Sequence, residues 1–198
     1  MHHIRQFLNI VRKAVMTLNV AKCEFGKPEV KFVGRLVGSR NYRPYSQRLQ
    51  GLAKIKVSRT KKKLRALLGT FGYYREYIFH FSAIAMPLTK LTKKGVPNVI
   101  TSSWSGDCQQ AYNRLKSELL STQVLRIPII GTLFHLYSNA SGKTVGATLG
   151  QLDEHDVEQP LTFASLKLSD TQMGWFTIER ETYAVIWALN RFLDLIFG

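Results

Sequence analysis

The placement of charge constrains this chain more than any other feature. Residues 1–100 hold 21 Lys and Arg against 3 Asp and Glu, whereas residues 101–198 hold 7 against 10. A single evenly charged globule does not divide in this way, so the pattern argues for two units with different tasks. An isolated lysine run can simply keep a surface solvated. A hundred residues of nearly uncompensated positive charge point instead to a polyanionic partner, because each phosphate neutralised releases counterions. With 45% hydrophobic and 11% aromatic residues, the chain has the material for packed cores and is not a disordered tail.

Several classes are excluded. Cys23 and Cys108 lie far apart with no CxxC neighbour, so no zinc site or disulfide framework is supported and reduced, buried thiols are expected. No apolar run reaches the roughly 18 residues that a spanning helix needs. The start, Met1-His2-His3-Ile4-Arg5, leads into an amphipathic pattern without the apolar stretch of a signal peptide. The expectation is an intracellular chain, cytoplasmic or nuclear, not secreted and without a membrane partner.

Ile4, Leu8, Val11, Val15 and Leu18 recur at helical spacing and predict a helix over 4–18. Residues 23–25 and 30–37 read as the strands of a hairpin about Gly26-Lys27-Pro28, and residues 39–59, with Pro44, as a polar connector. Thr60 is a candidate N-cap for a helix with the apolar stripe Leu64, Leu67, Leu68, Phe71 and Tyr74. Phe81, Ile84, Leu88 and Leu91 continue a helical pattern interrupted at Pro87. Residues 93–97 carry Gly and Pro where the charge switches, and a domain boundary is placed there.

Beyond it, Cys108, Ala111, Leu115 and Leu119 describe a helix opening near Ser105. Three β-type segments follow, 133–139, 144–152 and 160–165, and then a helix over 176–192. Residues 184–189 are apolar on almost every face, the pattern of a helix buried on most sides. The order β-β-β-α describes a sheet laid against one central helix.

The strongest local signal is Thr60-Lys61-Lys62-Lys63-Leu64-Arg65 joined to Phe71-Gly72-Tyr73-Tyr74-Arg75. Cations in the first turn of a helix oppose its dipole. A phosphate backbone would offset that cost, with help from the free N–H groups at the same helix end. Tyr73 and Arg75 add hydrogen bonds and stacking against sugar or base.

These residues resemble a known family. Leu18-Asn19-Val20-Ala21-Lys22-Cys23-Glu24-Phe25 and then Val30-Lys31-Phe32-Val33-Gly34 resemble the end of the palm of Ty3/gypsy-type LTR retrotransposon reverse transcriptases, where an LNxxKCxF segment precedes VxFLGH. The stretch from Lys61 through Arg75, then Phe81-Ser82 and Pro87-Leu88-Thr89, resembles the family's thumb. Trp104, Cys108, Ala111, Leu115-Lys116, Val124-Leu125, Ala140-Ser141, Gly146-Ala147 and Glu179-Arg180-Glu181 resemble its connection into the RNase H domain. The implied fold is α+β: a palm-end helix and hairpin in 1–50, a small helical thumb in 51–97, then in 98–198 a connection and a truncated RNase H-like mixed β-sheet with a packed helix.

The resemblance implies RNA-directed DNA polymerase and ribonuclease H activities, each through paired Mg²⁺ ions held by carboxylates. It also implies an RNA–DNA hybrid and the rest of a polyprotein as partners. Lys61, Lys62, Lys63, Arg65, Tyr73, Tyr74 and Arg75 are the expected nucleic-acid contacts, and Phe32, Val33, Gly34 and Arg35 the primer-guiding strand.

Departures from the family pattern limit the chemistry. The polymerase carboxylates, in a YxDD-type motif, would precede Met1, and the later RNase H ligands would lie beyond Gly198. Asn139 stands at the family's Asp position, leaving Glu181 as the residual RNase H carboxylate. An amide offers a neutral carbonyl and a competing N–H₂ face, so Mg²⁺ is not expected to be held tightly. Ser58 and Phe79 replace prolines of the family, and Arg35 replaces a His. His135 is expected to be structural, and residues 153–156 to cap a solvated hairpin. Two readings follow. The chain is a catalytically incomplete piece of a reverse transcriptase/RNase H, or a non-catalytic nucleic-acid-binding remnant of a transposable element.

Overall fold

A computed structural model describes residues 2–38, 40–57, 60–121 and 124–197; Met1, Ser58 and Gly198 lie outside the described residues. The elements in chain order are α1 (His2–Lys13), a 3-10 turn (Val20–Lys22), β1 (Glu29–Phe32), β2 (Arg35–Gly38), β3 (Asn41–Pro44), α2 (Ser46–Ala53) and α3 (Lys61–Tyr73). A second 3-10 turn (Arg75–Tyr77) leads to α4 (Phe81–Lys90), α5 (Gly106–Leu120), β4 (Leu125–Arg126), β5 (His135–Ala140), β6 (Thr144–Leu152), β7 (Glu158–Lys167), α6 (Asp170–Met173) and α7 (Thr177–Phe197). The fold class is α+β, as expected. Two sheets form, β1-β2-β3-β4 and β5-β6-β7, and every described pairing is antiparallel rather than mixed. Among the described residues no helix is long and apolar enough to cross a membrane.

Local chemistry explains where the helices begin. The Thr60 side chain accepts a hydrogen bond from Lys63 N, and the Ser105 side chain one from Cys108 N, so each satisfies an amide with no partner in its own helix. Behind these caps the expected stripes turn inward. Leu64, Leu67 and Phe71 are buried on α3 with Tyr74 just past its end, and Cys108, Ala111, Leu115 and Leu119 on α5. Tyr77, Ile84 and Leu88 join them, with Leu125 of β4, in one hydrophobic core. That core draws residues from both sides of 93–97, because α5 packs against α4. The expected boundary is therefore not a break in packing.

A second set of buried residues lies between the three-stranded sheet and α7. Ala147, Leu149 and Leu161 meet Ala188 and Phe192, and Val145 and Leu168 meet Ala184. The alanines four apart let α7 lie close over the strands. Phe163 of β7 packs against the first core, and its ring meets Phe79 edge-on at 5.6 Å. Ser82 N donates to Ser165 Oγ at 2.8 Å, and Tyr42 Oη donates to the Leu161 carbonyl at 2.8 Å. Both the first sheet and α4 are thereby tied to β7.

Several expectations change. The first helix ends at Lys13 rather than residue 18, and Val15 takes a positive φ of 55°. The hairpin turns at Val33-Gly34, not at Gly26-Lys27-Pro28, and residues 23–25 form no strand. The supposed connector holds β3 and α2. Pro87 sits inside α4 without ending it. Cys23 is half-exposed rather than buried, although both thiols are free. Finally, α7 is not buried on most sides. Val185, Ile186, Leu189 and Leu193 are exposed, and only the Ala184–Ala188–Phe192 face is packed.

Candidate nucleic-acid interface

The three lysines at the start of α3 have different fates. Lys61 is only 7% exposed; its Nζ donates to the Lys93 carbonyl at 2.8 Å and to the Val96 carbonyl at 2.6 Å. It is a tether for the loop after α4 and not a surface contact, which corrects its assignment. The signal was in the sequence: Lys61 lies three residues before Leu64, on the inward stripe of the helix. Lys62 and Lys63 are exposed. Arg65 is exposed too, with one guanidinium nitrogen donating to the Thr92 carbonyl at 2.9 Å.

At the other end of α3 stands the tip of the first hairpin. Val33 and Gly34 have φ values of 44° and 76°, so both central residues of the two-residue turn are left-handed, the geometry that matches strand twist. A β-branched residue holds that conformation only under strain. Phe32 and Val33 are exposed at this tip. Tyr73 Oη donates to the Val33 carbonyl, and the Arg35 guanidinium meets Glu76 Oε1 at 2.6 Å while lying 5.7 Å from the Tyr73 ring centre. Two segments far apart in the sequence, the turn between β1 and β2 and the end of α3, are thus joined.

Tyr74, by contrast, is 2% exposed and packs edge-on against Tyr73 at 4.9 Å. It supports the interface from beneath and is corrected as a direct contact. Arg75 is exposed. Glu76, one of only three acids in residues 1–100, belongs to no motif that the sequence announces. Burial raises its carboxyl pKa, against the opposing pull of Arg35, Arg191 and Arg75. Burial likewise pushes the Tyr42 and Tyr77 phenols up, with the Glu76 charge adding to both.

The other candidate site lies where β5 meets α7. Asn139 is exposed near the end of β5, and Glu181 Oε2 accepts a hydrogen bond from Ala140 N at 3.0 Å. The fold does bring positions 139 and 181 together. The carboxylate spends one oxygen on backbone, and its neighbour supplies only a neutral amide. Among the described residues no group of three or more His, Cys, Asp or Glu could hold a metal ion. These donors do not fit a pair of Mg²⁺ ions, which need several anionic oxygens to offset their repulsion.

Two further features are structural. His135 Nδ1 lies 3.1 Å from Glu158 Oε2. Asp153 Oδ1 accepts from His155 N at 2.9 Å and Val157 N at 3.0 Å, and these backbone donors hold its carboxyl below the usual range.

The chain is similar to proteins already known. Residues 104–198 match the family described as an RNase H-like domain found in reverse transcriptase. The chain is 30% identical over 203 residues to the retrovirus-related Pol polyprotein from transposon opus of Drosophila melanogaster, covering 99% of this chain and 20% of that protein. It is also 30% identical over 188 residues to the Transposon Tf2-3 polyprotein of Schizosaccharomyces pombe, covering 95% of this chain and 14% of that one. It therefore spans a fifth or less of these relatives.

Two solved structures of the foamy viral protease-reverse transcriptase share the fold. The dRH form in complex with dsDNA aligns with a TM-score of 0.79 at 22% identity, covering 98% of this chain and 34% of that one. The form in complex with an RNA/DNA hybrid aligns with a TM-score of 0.78 at 22% identity, covering 100% of this chain and 27% of that one. Residues 104–198 are thus similar to the RNase H-like domain found in reverse transcriptase, and the chain as a whole is similar to a part of transposon polyproteins.

Proposed function

We propose that this chain is a nucleic-acid-holding segment of a Ty3/gypsy-type reverse transcriptase/RNase H polyprotein and forms no working catalytic centre from its own residues. It grips the backbone of an RNA–DNA hybrid with the exposed tip Phe32-Val33-Gly34-Arg35 and with Lys62, Lys63, Arg65, Tyr73 and Arg75. The observation that carries this reading is the bond from Tyr73 Oη to the Val33 carbonyl, reinforced by the Arg35–Glu76 pair, which fixes the guiding turn against the thumb helix. Preorganising two contact elements before the ligand arrives reduces the ordering cost of binding. The foamy viral structures, one with dsDNA and one with an RNA/DNA hybrid, support a duplex ligand.

RNA-directed DNA synthesis and hybrid cleavage belong, in this reading, to the longer polyprotein, working in the cytoplasm or nucleus. Asn139 favours a more radical version, a non-catalytic remnant of a transposable element. Fluorescence anisotropy with a labelled RNA–DNA hybrid between 50 and 250 mM NaCl tests the binding, which is expected to weaken steeply with salt. Salt-independent binding, or none, would sink it. Metal-dependent hybrid cleavage that Glu181→Ala abolishes would refute the claim of inactivity. Asn139→Asp is expected to increase Mn²⁺ uptake, read by electron paramagnetic resonance.

A further inference from the structure

Between the end of α3, β7 and α7 lies a polar cavity of about 440 Å³. Arg35, Arg75 and Arg191 line it with a single carboxylate, Glu76, and Tyr73 and Trp187 supply aromatic wall. The three guanidiniums come from three separated parts of the chain, so no sequence motif announces them. Glu76 is already engaged by Arg35 at 2.6 Å, which leaves Arg75 and Arg191 as exposed cations in excess of the acid they surround. Convergent arginines around a concave site match the planar, multidentate recognition of phosphate. The volume falls within the range that holds a small ligand, leaving room beside a phosphate for its sugar.

We infer that this cavity is a phosphate site, taking one backbone phosphate of a nucleic-acid strand on Arg75 and Arg191 as that strand passes from the thumb helix to the RNase H-like sheet. Glu76 acts as a positioning residue, holding Arg35 across the rear of the cavity. Continuity with the proposed contacts supports the strand as the source. Arg35, Tyr73 and Arg75 line the same cavity as Arg191, so a strand held by the first three passes within reach of the fourth. This site rests on the nucleic-acid reading above and extends it to residues outside the basic half.

The test uses the full chain with Arg191→Ala and Arg191→Lys. Arg191 is exposed, so both variants are expected to melt with the wild type. The slope of log affinity for the hybrid against log salt should fall by about 0.9 in Arg191→Ala, the loss of one phosphate contact, and recover largely in Arg191→Lys. Titration with inorganic phosphate, read by tryptophan fluorescence from the cavity wall, should saturate in the wild type and not in Arg191→Ala, and the hybrid should compete with it. Hybrid binding with an unaltered slope in Arg191→Ala overturns the site while leaving the general nucleic-acid reading in place. A phosphate signal lost in Arg191→Ala but indifferent to the hybrid overturns the strand as ligand and identifies free phosphate instead. No hybrid binding by the wild type fails the broader reading, and the phosphate titration then judges the cavity by itself.

Discussion

Lys61 and its neighbours Lys62 and Lys63 offer a direct separation of folding from binding. In Lys61→Met the apolar stem remains while the ammonium and its bonds to the Lys93 and Val96 carbonyls are lost. Hydrogen bonds to a charged group are worth roughly 1.5–3 kcal/mol each, and the orphaned carbonyls add their own desolvation cost. Water reaches the exposed Lys93 side of the loop and recovers part of this. Desolvation of the ammonium is also relieved, so the net loss should be about 2–3 kcal/mol. For a chain of this size that is a fall in Tm of about 5–10 °C. Because Lys61 faces inward, the salt slope of hybrid binding should stay the same. Lys62→Ala and Lys63→Ala should do the opposite, holding Tm within about 2 °C while each lowers the slope by ~0.9. Differential scanning fluorimetry and anisotropy on the same preparations give both numbers. A Lys61→Met protein with unaltered Tm and a reduced slope would refute the assignment of Lys61 as a tether.

Three other outcomes follow from the geometry. Val33→Gly should stabilise the chain by about 1 kcal/mol in urea denaturation, because a β-branched residue at positive φ costs roughly 1–2 kcal/mol that glycine avoids; a loss of stability would show the turn is not strained. Gly146→Ala should destabilise by about 1–3 kcal/mol, since a Cβ there would lie 2.8 Å from His80 Nδ1 and 3.0 Å from its Cε1 and would displace the ring; an unchanged denaturation midpoint would refute that contact. Burial, aided by Arg114, lowers the pKa of His80 from 6.5, so the unfolded chain takes up a proton first as pH falls. Stability should therefore decline from about pH 6.5 downward and level off below the folded-state pKa. His80→Asn, which tolerates the positive φ of this position, should flatten that limb in denaturation series from pH 7 to 5.

Much of the architecture was legible because it rests on periodicity. The stripes of α3 and α5, their caps at Thr60 and Ser105, and the three strands before α7 follow from side chains that repeat at the spacing of their own element. Errors arose where a local signal lost to a partner distant in sequence. Gly26-Lys27-Pro28 is the better turn on composition, but pairing of β1 with β2 and the bond from Tyr73 place the reversal at Val33-Gly34. Residues 39–59 looked like a connector because Tyr42, whose partner is Leu161, has its significance 119 residues away. The cavity arginines were invisible for the same reason. On α7 the apolar residues outnumber the packed ones, since helical spacing alone does not say how many faces are covered.

The RNase H-like half also separates two things that a family resemblance tends to merge. Its fold is specified by positions such as Val145, Ala147, Ala184, Ala188 and Phe192, whose burial depends on size and spacing. Its chemistry would be specified by carboxylates that contribute almost nothing to that packing. Asn139 is exposed, so exchanging Asp for Asn there changes no core contact and removes one anionic oxygen pair from beside Glu181. Glu181 retains a structural task, accepting the Ala140 amide at the end of β5, even where it has no metal to hold. An Asp or an Asn at position 139 is thus compatible with the same sheet and helix, because neither core includes that side chain. Positive charge in residues 1–100 is likewise spread over many lysines and arginines, so the proposed grip on phosphate does not rest on any one of them.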